Sequence, residues 1–477
     1  MAVKWPPQPR AEHEANPNPL IPNNHKDAPD TVVQSKFLAV PTISGTILNF
    51  SGIPFPGVNC NCAPPDTNGD VGTTQYVQIV NEGYQVFDKI TGNSVLGPNS
   101  IESIWTGFGG VCETSGFGDP TVSFDQIANR WVITEFAGTS IPHTECIAVS
   151  TTADATGTWN RYAFDVDTVN FLDYPKTAVW PDAYYQSFNI FNSTGTAYLG
   201  PRAVAYDRTA MLAGNPATFI TFGPLGAAIA PLLPADLDGS TLPPAGAPNS
   251  FVKFPDTGTY DVYHFQVTSF VPPVASFTLF ASPAAAPFTQ LCATTRNCVP
   301  QLGTTAKLDG LADRLMNRLA YRNLRGRLET VVSNFTVKTN NVAGIRWFEL
   351  RNVTAGPVTV YQEATFQPDT TWRWMASSAK DGRGNMAIGY SASSATIHPE
   401  IRYTGRLRTS PFNTLPLGEG TIIAGNGSQT DTVNRWGDYS GLSIDPSDDA
   451  TFFFTTEYYD TVSSFNWRTR IGSFKLP

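Results

Sequence analysis

Charge is scarce in this chain. Only 15% of the 477 residues are Asp, Glu, Lys or Arg, and no dense Lys/Arg block occurs. Phosphate backbones are held by basic surfaces, so no nucleic-acid partner is expected, and the formal charge of −9 is spread thinly over the length. Long apolar runs are missing too. The longest, "PLGAAIAPLLP" (224–234), is short and broken by proline, so no membrane span is expected. Lys, Glu and Leu-rich helical periodicity is lacking, which excludes a helical protein. No G-x-S-x-G, phosphate-binding loop or dinucleotide fingerprint is present, which disfavours a serine elbow, nucleotide hydrolysis and Rossmann redox chemistry. The opening "MAVKWPPQPRAEHEANPNPL" has no apolar core, so a signal peptide is expected to be absent here or already removed.

The chain is rich in turn and strand formers. It carries 39 Gly, 38 Pro and 12% aromatics, with many Thr and Ser, which argues for short strands joined by turns. The six cysteines form neither a CxxC pair nor a Cys/His zinc spacing. An even number fits disulfides: Cys112 is expected to bridge to Cys146, and Cys292 with Cys298 suggests a stapled loop, although spacing alone leaves other pairings open. Paired cysteines and a low-Lys surface point to a secreted or periplasmic protein, the rival being buried thiols in a reducing compartment. Residues 1–36, Pro/Asn-rich and poor in apolar side chains, read as a flexible arm ahead of a single domain over 37–477.

A unit recurs along that domain. "GDPTVSFDQIANRWVITEFA" (118–137) reads as strand, tight turn, strand, and "GDYSGLSIDPSDDATFFFTTEYY" (437–459) repeats it. Asp125, Asn129 and Trp131 share their offsets with Asp381, Asn385 and Ala387, and with Asp445, Asp449 and Thr451. Asp and Asn accept local backbone hydrogen bonds and tolerate the left-handed conformation, as a strand-to-strand turn requires. Looser copies begin near residues 64, 173 and 314, and "AAIAPLLPADLDGSTLPPAGAPNSFVKF" (227–254) supplies two short strands where one more copy is due. A second strand pair follows each copy. Four antiparallel strands at a period of roughly 50 to 75 residues are the signature of propeller blades. The expected fold is an all-β, seven-bladed β-propeller. Its last blade, ending at "RIGSFKLP", lacks an outer strand, which "FLAVPTISGTILNF" (37–50) would provide, closing the ring without an open edge.

"PPDTNGDVG", "GDPTVSFDQIANRW", "DYPKTAVWPD", "RLMNRLAYRN", "IRYTGRL", "RWGDYSG" and "NWRTRIGSFK" resemble the recurring signatures of a largely uncharacterised group of secreted bacterial β-propeller proteins, over about residues 60–477. The architecture is more distantly similar to sialidases, other propeller glycosidases and polysaccharide lyases, whose sites lie on one face of the ring. The chain departs from sialidases in lacking a clean S-x-D-x-G-x-T-W box, so none of their residues carries over.

Inner strands begin beside the central channel, and the residues there are Asp66, Asp119, Asp173, Arg314 or Arg318, Arg373 and Asp438. Carboxylates suit acid, base or nucleophile roles, and guanidinium groups suit an anionic sugar substituent. Trp374, Trp436 and Tyr439 would add stacking faces. The expectation is a glycosidase or lyase acting, as a monomer, on a polysaccharide or oligosaccharide; the alternative is a non-catalytic glycan-binding or adhesion propeller. Any one of these residues would serve equally as a turn cap or interblade ion pair. Asp66, Asn68 and Asp70 in "DTNGDVG" have the D-x-N-x-D opening of a calcium loop, without its following Gly or closing Glu, and "ADLDG" (235–239) is a weaker second candidate. No organic cofactor is expected. Among the histidines, His143 and His398 fall in outer loops as alternative general bases.

Overall fold

A computed structural model describes residues 10–11, 21, 24–38, 43–58, 60–138, 140–431 and 434–477. It is all-β, with 51% strand and 3% helix, and among the described residues no helix is long and apolar enough to cross a membrane. The first sheet orders Asn68–Val71, Gln75–Val80, Gly83–Asp88 and Ser94–Ser100. The second holds Gly116–Asp125, Arg130–Ala137, His143–Ser150 and Trp159–Asp167. The third holds Phe171–Val179, Tyr184–Phe191, Tyr198–Tyr206 and Phe219–Phe222. The fourth runs through Leu232–Asp238, Asn249–Lys253, Val262–Phe270 and Pro273–Ala281. It joins the fifth, Leu319–Leu324, Leu328–Thr339, Val342–Arg351 and Thr359–Phe366, where Ala235–Asp238 runs parallel to Leu319–Arg322. The sixth holds Trp372–Lys380, Met386–Ser394, Ile397–Arg406 and Glu419–Ile423. In the last, Gly441–Ile444, Thr451–Tyr458 and Arg468–Lys475 are followed by Leu48–Ser51, which pairs antiparallel with Arg470–Ser473.

The repeated turns form for the reason their residues suggest. Asp125 Oδ1 accepts from the N–H groups of Ile127 and Ala128, and Asn129 is left-handed at φ 57°. Asp381 Oδ1 takes the N–H groups of Arg383 and Asn385, and Asp445 Oδ1 takes that of Ser447. Each strand pair therefore closes locally. Side chains alternate across each strand, so both faces of a sheet bury apolar residues against its neighbours. Trp105, Trp131 and Ile133 pack between the first and second sheets, Phe188 and Met211 lie in the cluster joining the second and third, and Trp347 and Tyr390 fill the space between the fifth and sixth. Phe452 and Phe454 face the sixth sheet, whereas Phe453 and Ile471 pack with Val71 and Tyr76 of the first. First strands crowd at the centre. A Cβ on Gly441 would lie 2.8 Å from the Gly69 carbonyl oxygen, so two backbones meet there.

Residues in the span expected as an arm lie against the domain. Val33–Gln34 runs parallel to Thr365–Phe366, and Asp30 pairs with buried Arg346 at 2.8 Å. Cysteines pair as Cys112–Cys146 and Cys292–Cys298, as expected, and also as Cys60–Cys62.

Candidate functional site

The starts of the first strands do converge, and the result is a closed charged cluster. Asp66 and Asp119 occupy left-handed backbone positions, φ 49° and 48°. Their carboxylates turn toward other sheets: Asp66 Oδ1, at the first sheet, accepts from Asp438 N, at the last, at 2.5 Å, and Asp119 Oδ2, on the second, accepts from Tyr174 N, on the third, at 2.9 Å. Asn81 binds both, donating from Nδ2 to Asp66 Oδ2 at 3.1 Å and accepting from Asp119 N at 3.1 Å. These side chains stitch neighbouring sheets together. Asp438 is met by Arg435 Nη2 at 2.8 Å, and Arg314 Nε by Asp313 at 2.8 Å. Burial opposes ionisation of Asp438, but Arg435, Arg314 and Arg296 outweigh it and hold its carboxyl below the usual range. Lys176 was not foreseen. Its Nζ lies 3.0 and 3.3 Å from the ring centroids of Tyr174 and Tyr439, and burial drives its pKa well down against the pull of Asp119 and Asp438. Only "DYPKTAVW" signalled it: Lys three residues beyond an entrance aspartate.

The cluster is out of reach of a polymer. Asp66, Asp119, Asp173 and Asp438 are 0, 3, 3 and 1% exposed, and Arg314 is 1% exposed. Above them the segment between the fourth and fifth sheets brings Leu291, Val299, Leu308, Leu311 and Met316 onto Tyr174, Trp374, Trp436, Tyr439, Tyr459 and Trp467. Trp374, Trp436 and Tyr439 are therefore core aromatics here, not stacking platforms, because this segment covers them.

Two arginines fall elsewhere. Arg373, adjacent to Trp374 on one strand, faces away from the cluster, as strand alternation requires. It is buried against Phe366 and held by Glu419 and Asp369. Arg318 enters the narrow channel and binds Asp236 and Asp238, so a guanidinium occupies the second calcium candidate. That channel leaves about 20 Å³, enough for one water, between Asn68, Asp70, Thr121, Thr177 and Arg318. Asp70 is pushed up to about 7, chiefly by burial, with Arg318 opposing.

Of the D-x-N-x-D stretch, Asn68 and Asp70 lie on the strand Asn68–Val71, with Asp66 just before it. Asn68 Oδ1 accepts from Val122 N at 3.2 Å and Asp70 Oδ2 from Phe124 N at 2.7 Å, so these oxygens serve the second sheet's backbone. Among the described residues, one set of three ligand-type Cys, His, Asp or Glu side chains lies within 4.8 Å, Cys60, Cys62 and Glu82, and its sulfurs are joined in a disulfide. His143 is buried among Phe117, Phe136 and Phe171, its Nδ1 2.7 Å from Gly138 O, and burial lowers its pKa. His398 Nδ1 lies 2.8 Å from Ser428 Oγ.

An open cavity exists at the rim. About 380 Å³ is enclosed by Asn24, His25, Lys26, Asp256, Ala286 and Phe288 together with their neighbours. His25 stacks on Phe288 at 3.9 Å, Asn24 N donates to Asp256 Oδ2 at 3.3 Å, and Lys253 Nζ donates to Asp256 Oδ1 at 2.9 Å.

No family model and no curated protein matches the chain. Among solved structures, it is similar to a Dyadobacter fermentans protein of unknown function (11% identity, 92% of this chain and 100% of that one, TM-score 0.39). It is likewise similar to the polysaccharide lyase Uly1 (11% identity, 94% and 100% covered, TM-score 0.40). A third is the phage phi92 endosialidase (8% identity, 73% and 66% covered, TM-score 0.43).

Proposed function

We propose that the chain is an exported, non-catalytic glycan-binding propeller: a ring of seven blades closed by Leu48–Ser51, its central charges locking the blades and its sugar contact lying at the rim cavity. The observation that carries this reading is the burial of all four candidate carboxylates, at most 3% exposed, beneath an apolar cover. A dyad that cannot meet water or a polymer performs no hydrolysis in this arrangement. The rim cavity has the opposite character. Its volume lies within the range of small-ligand sites, and it combines a carboxylate, an amide and an ammonium group with apolar walls.

A second reading, a glycosidase or lyase using Asp66, Asp119, Asp173 and Asp438 with Arg314 on an anionic substituent, is favoured by one feature. Among the described residues, Arg314 Nη1 is buried without a hydrogen-bond partner, and Arg296 lies 3.0 Å from Asp309 without hydrogen-bond geometry. Such incomplete pairing is costly in a purely structural cluster. That reading requires the cover around Leu291–Met316 to leave. A panel of uronate-containing and neutral polysaccharides separates the two when binding, new reducing ends and absorbance of an unsaturated product are all read. Binding without turnover, weakened by Lys26→Ala and Asp256→Asn, is expected. Turnover abolished by Asp119→Asn would sink the binding-only reading.

A further inference from the structure

Cys60 and Cys62 stand one residue apart in "NCNCAPPD" (59–66), just ahead of the first sheet. Their sulfurs and the Glu82 carboxylate lie within 4.8 Å of one another, with both cysteines buried and Glu82 half-buried. Contacts other than the disulfide hold this corner together. Asn81 N donates to Pro65 O at 2.8 Å and Asn81 Nδ2 to Pro64 O at 3.0 Å, which sets Glu82, the next residue, beside the cysteine segment. Trp467 Nε1 donates to Cys62 O at 2.8 Å, and Asn61 N donates to Pro56 O at 3.2 Å. Opening the Cys60–Cys62 bond therefore leaves the three groups in one place. That bond is also the one that loop closure supports least. A disulfide stabilises more when the loop it closes is longer, and the sequence separation is 2 here against 6 for Cys292–Cys298 and 34 for Cys112–Cys146.

We infer that Cys60, Cys62 and Glu82 form a redox-gated zinc site, shut while the sulfurs are bonded to each other and open to a zinc ion once they are reduced. A dithiol breaks the S–S bond, is itself oxidised to a disulfide and leaves two cysteine thiols. Zinc then takes both sulfurs as thiolates, with the Glu82 carboxylate as third ligand, and two protons are released. Ligand chemistry selects the metal. Two thiolates disfavour calcium and magnesium, and the carboxylate oxygen favours zinc over cuprous copper. With Zn–S near about 2.3 Å, tetrahedral ligation puts the sulfurs about 3.8 Å apart, within reach of side chains whose Cα atoms are 5.1 Å apart.

Charge fits the exchange. The disulfide with an ionised Glu82 carries one net negative charge, and so does zinc with two thiolates and the carboxylate. Two bare thiolates would add their charges to an acidic corner, where burial and the charges of Glu82, Glu102 and Glu145 already raise the carboxyl of wholly buried Glu135. The reduced pair therefore keeps its protons until a metal takes their place. In an oxidising compartment the bridge stays shut, so zinc loading reports that the chain has met a reductant. The site is independent of the rim cavity and of both functional readings above.

Cobalt(II) titration of the full chain, reduced with a small dithiol and desalted without oxygen, tests it. One equivalent should bind with the near-ultraviolet thiolate-to-metal charge-transfer band and be displaced by zinc, whereas the unreduced chain should show no band. Cys60→Ser with Cys62→Ser should abolish the band, and Glu82→Gln should weaken binding by at least about tenfold, the lower bound for losing even an outer partner of a metal site. In the reduced wild type, zinc should shield Cys60 and Cys62, and not Cys112, Cys146, Cys292 or Cys298, from alkylation mapped by mass spectrometry, a readout that needs no variant to fold. A reduced wild type without the band, a band undiminished in the double serine variant, or zinc shielding the other cysteines instead overturns the inference. So does equal affinity in Glu82→Gln.

Discussion

Replacing Asp125 by Ala tests whether the repeated turn aspartates do more than close turns. Asp125 is fully buried at the end of its strand. Besides the two turn N–H groups, it accepts from Arg208 Nε at 2.7 Å, Arg208 Nη2 at 3.0 Å and Tyr184 Oη at 2.9 Å, bridging the second and third sheets. Alanine would leave Arg208 with the Pro181 carbonyl at 3.2 Å. Removing one partner of a buried ion pair costs about 3–5 kcal/mol, and the lost turn bonds add about 1 kcal/mol. At about 2.1 cal/mol/K per residue, unfolding of 477 residues carries an entropy near 1 kcal/mol/K, so the melting temperature should fall by about 4–6 °C. Asp381→Ala is the internal control. Asp381 binds Arg383 N, Asn385 N and Asn385 Nδ2, and the expected loss is about 1–2 °C. Calorimetry on both, and on Asp125→Ala with Arg208→Met, gives the answer, since removing the stranded guanidinium should recover part of the loss. A drop for Asp125→Ala no larger than that for Asp381→Ala, or a double variant no better than the single, would refute the reasoning.

Asp438→Asn should lower the melting temperature by about 3 °C at neutral pH, because it removes a buried charge that Arg435 meets at 2.8 Å. The native pKa of Asp438 is depressed, so this gap should persist down to the ordinary carboxylate value and narrow only as the pH falls below it toward the lower native value; a melt series from pH 7 to pH 2 checks it. Asp70 behaves with the opposite sign. Its native pKa of about 7 lies above the ordinary 3.8, so the folded state holds its proton longer and the wild type loses stability between those values as pH rises. Asp70→Asn should therefore gain on the wild type from pH 4 to pH 8, and a difference independent of pH would count against it. Deleting residues 1–51 removes the outer strand of the last sheet and the Asp30 pair with Arg346, and should cost more than about 5 °C; a truncated chain melting with the intact one would dismiss ring closure.

What could be read in the sequence was what is decided within a few residues. Asp125, Asp381 and Asp445 announce turns because their carboxylates reach N–H groups two to four positions on. The flanking aromatic runs announce strands because alternation places Phe452 and Phe454 on one face and Phe453 on the other. The same logic located the two weak strands of the fourth sheet, Leu232–Asp238 and Asn249–Lys253. Whether a strand-entrance carboxylate meets solvent is not a local property. Asp66 is sealed by Asp438, 372 residues away, and by a cover carrying Leu291 and Met316 from the segment between the fourth and fifth sheets. Nor does sequence say which way a strand's alternation points: Trp374, inside the cluster, directly follows Arg373, outside it. Tertiary packing made both choices, because burying apolar surface from distant segments excludes water from whatever charges lie beneath it.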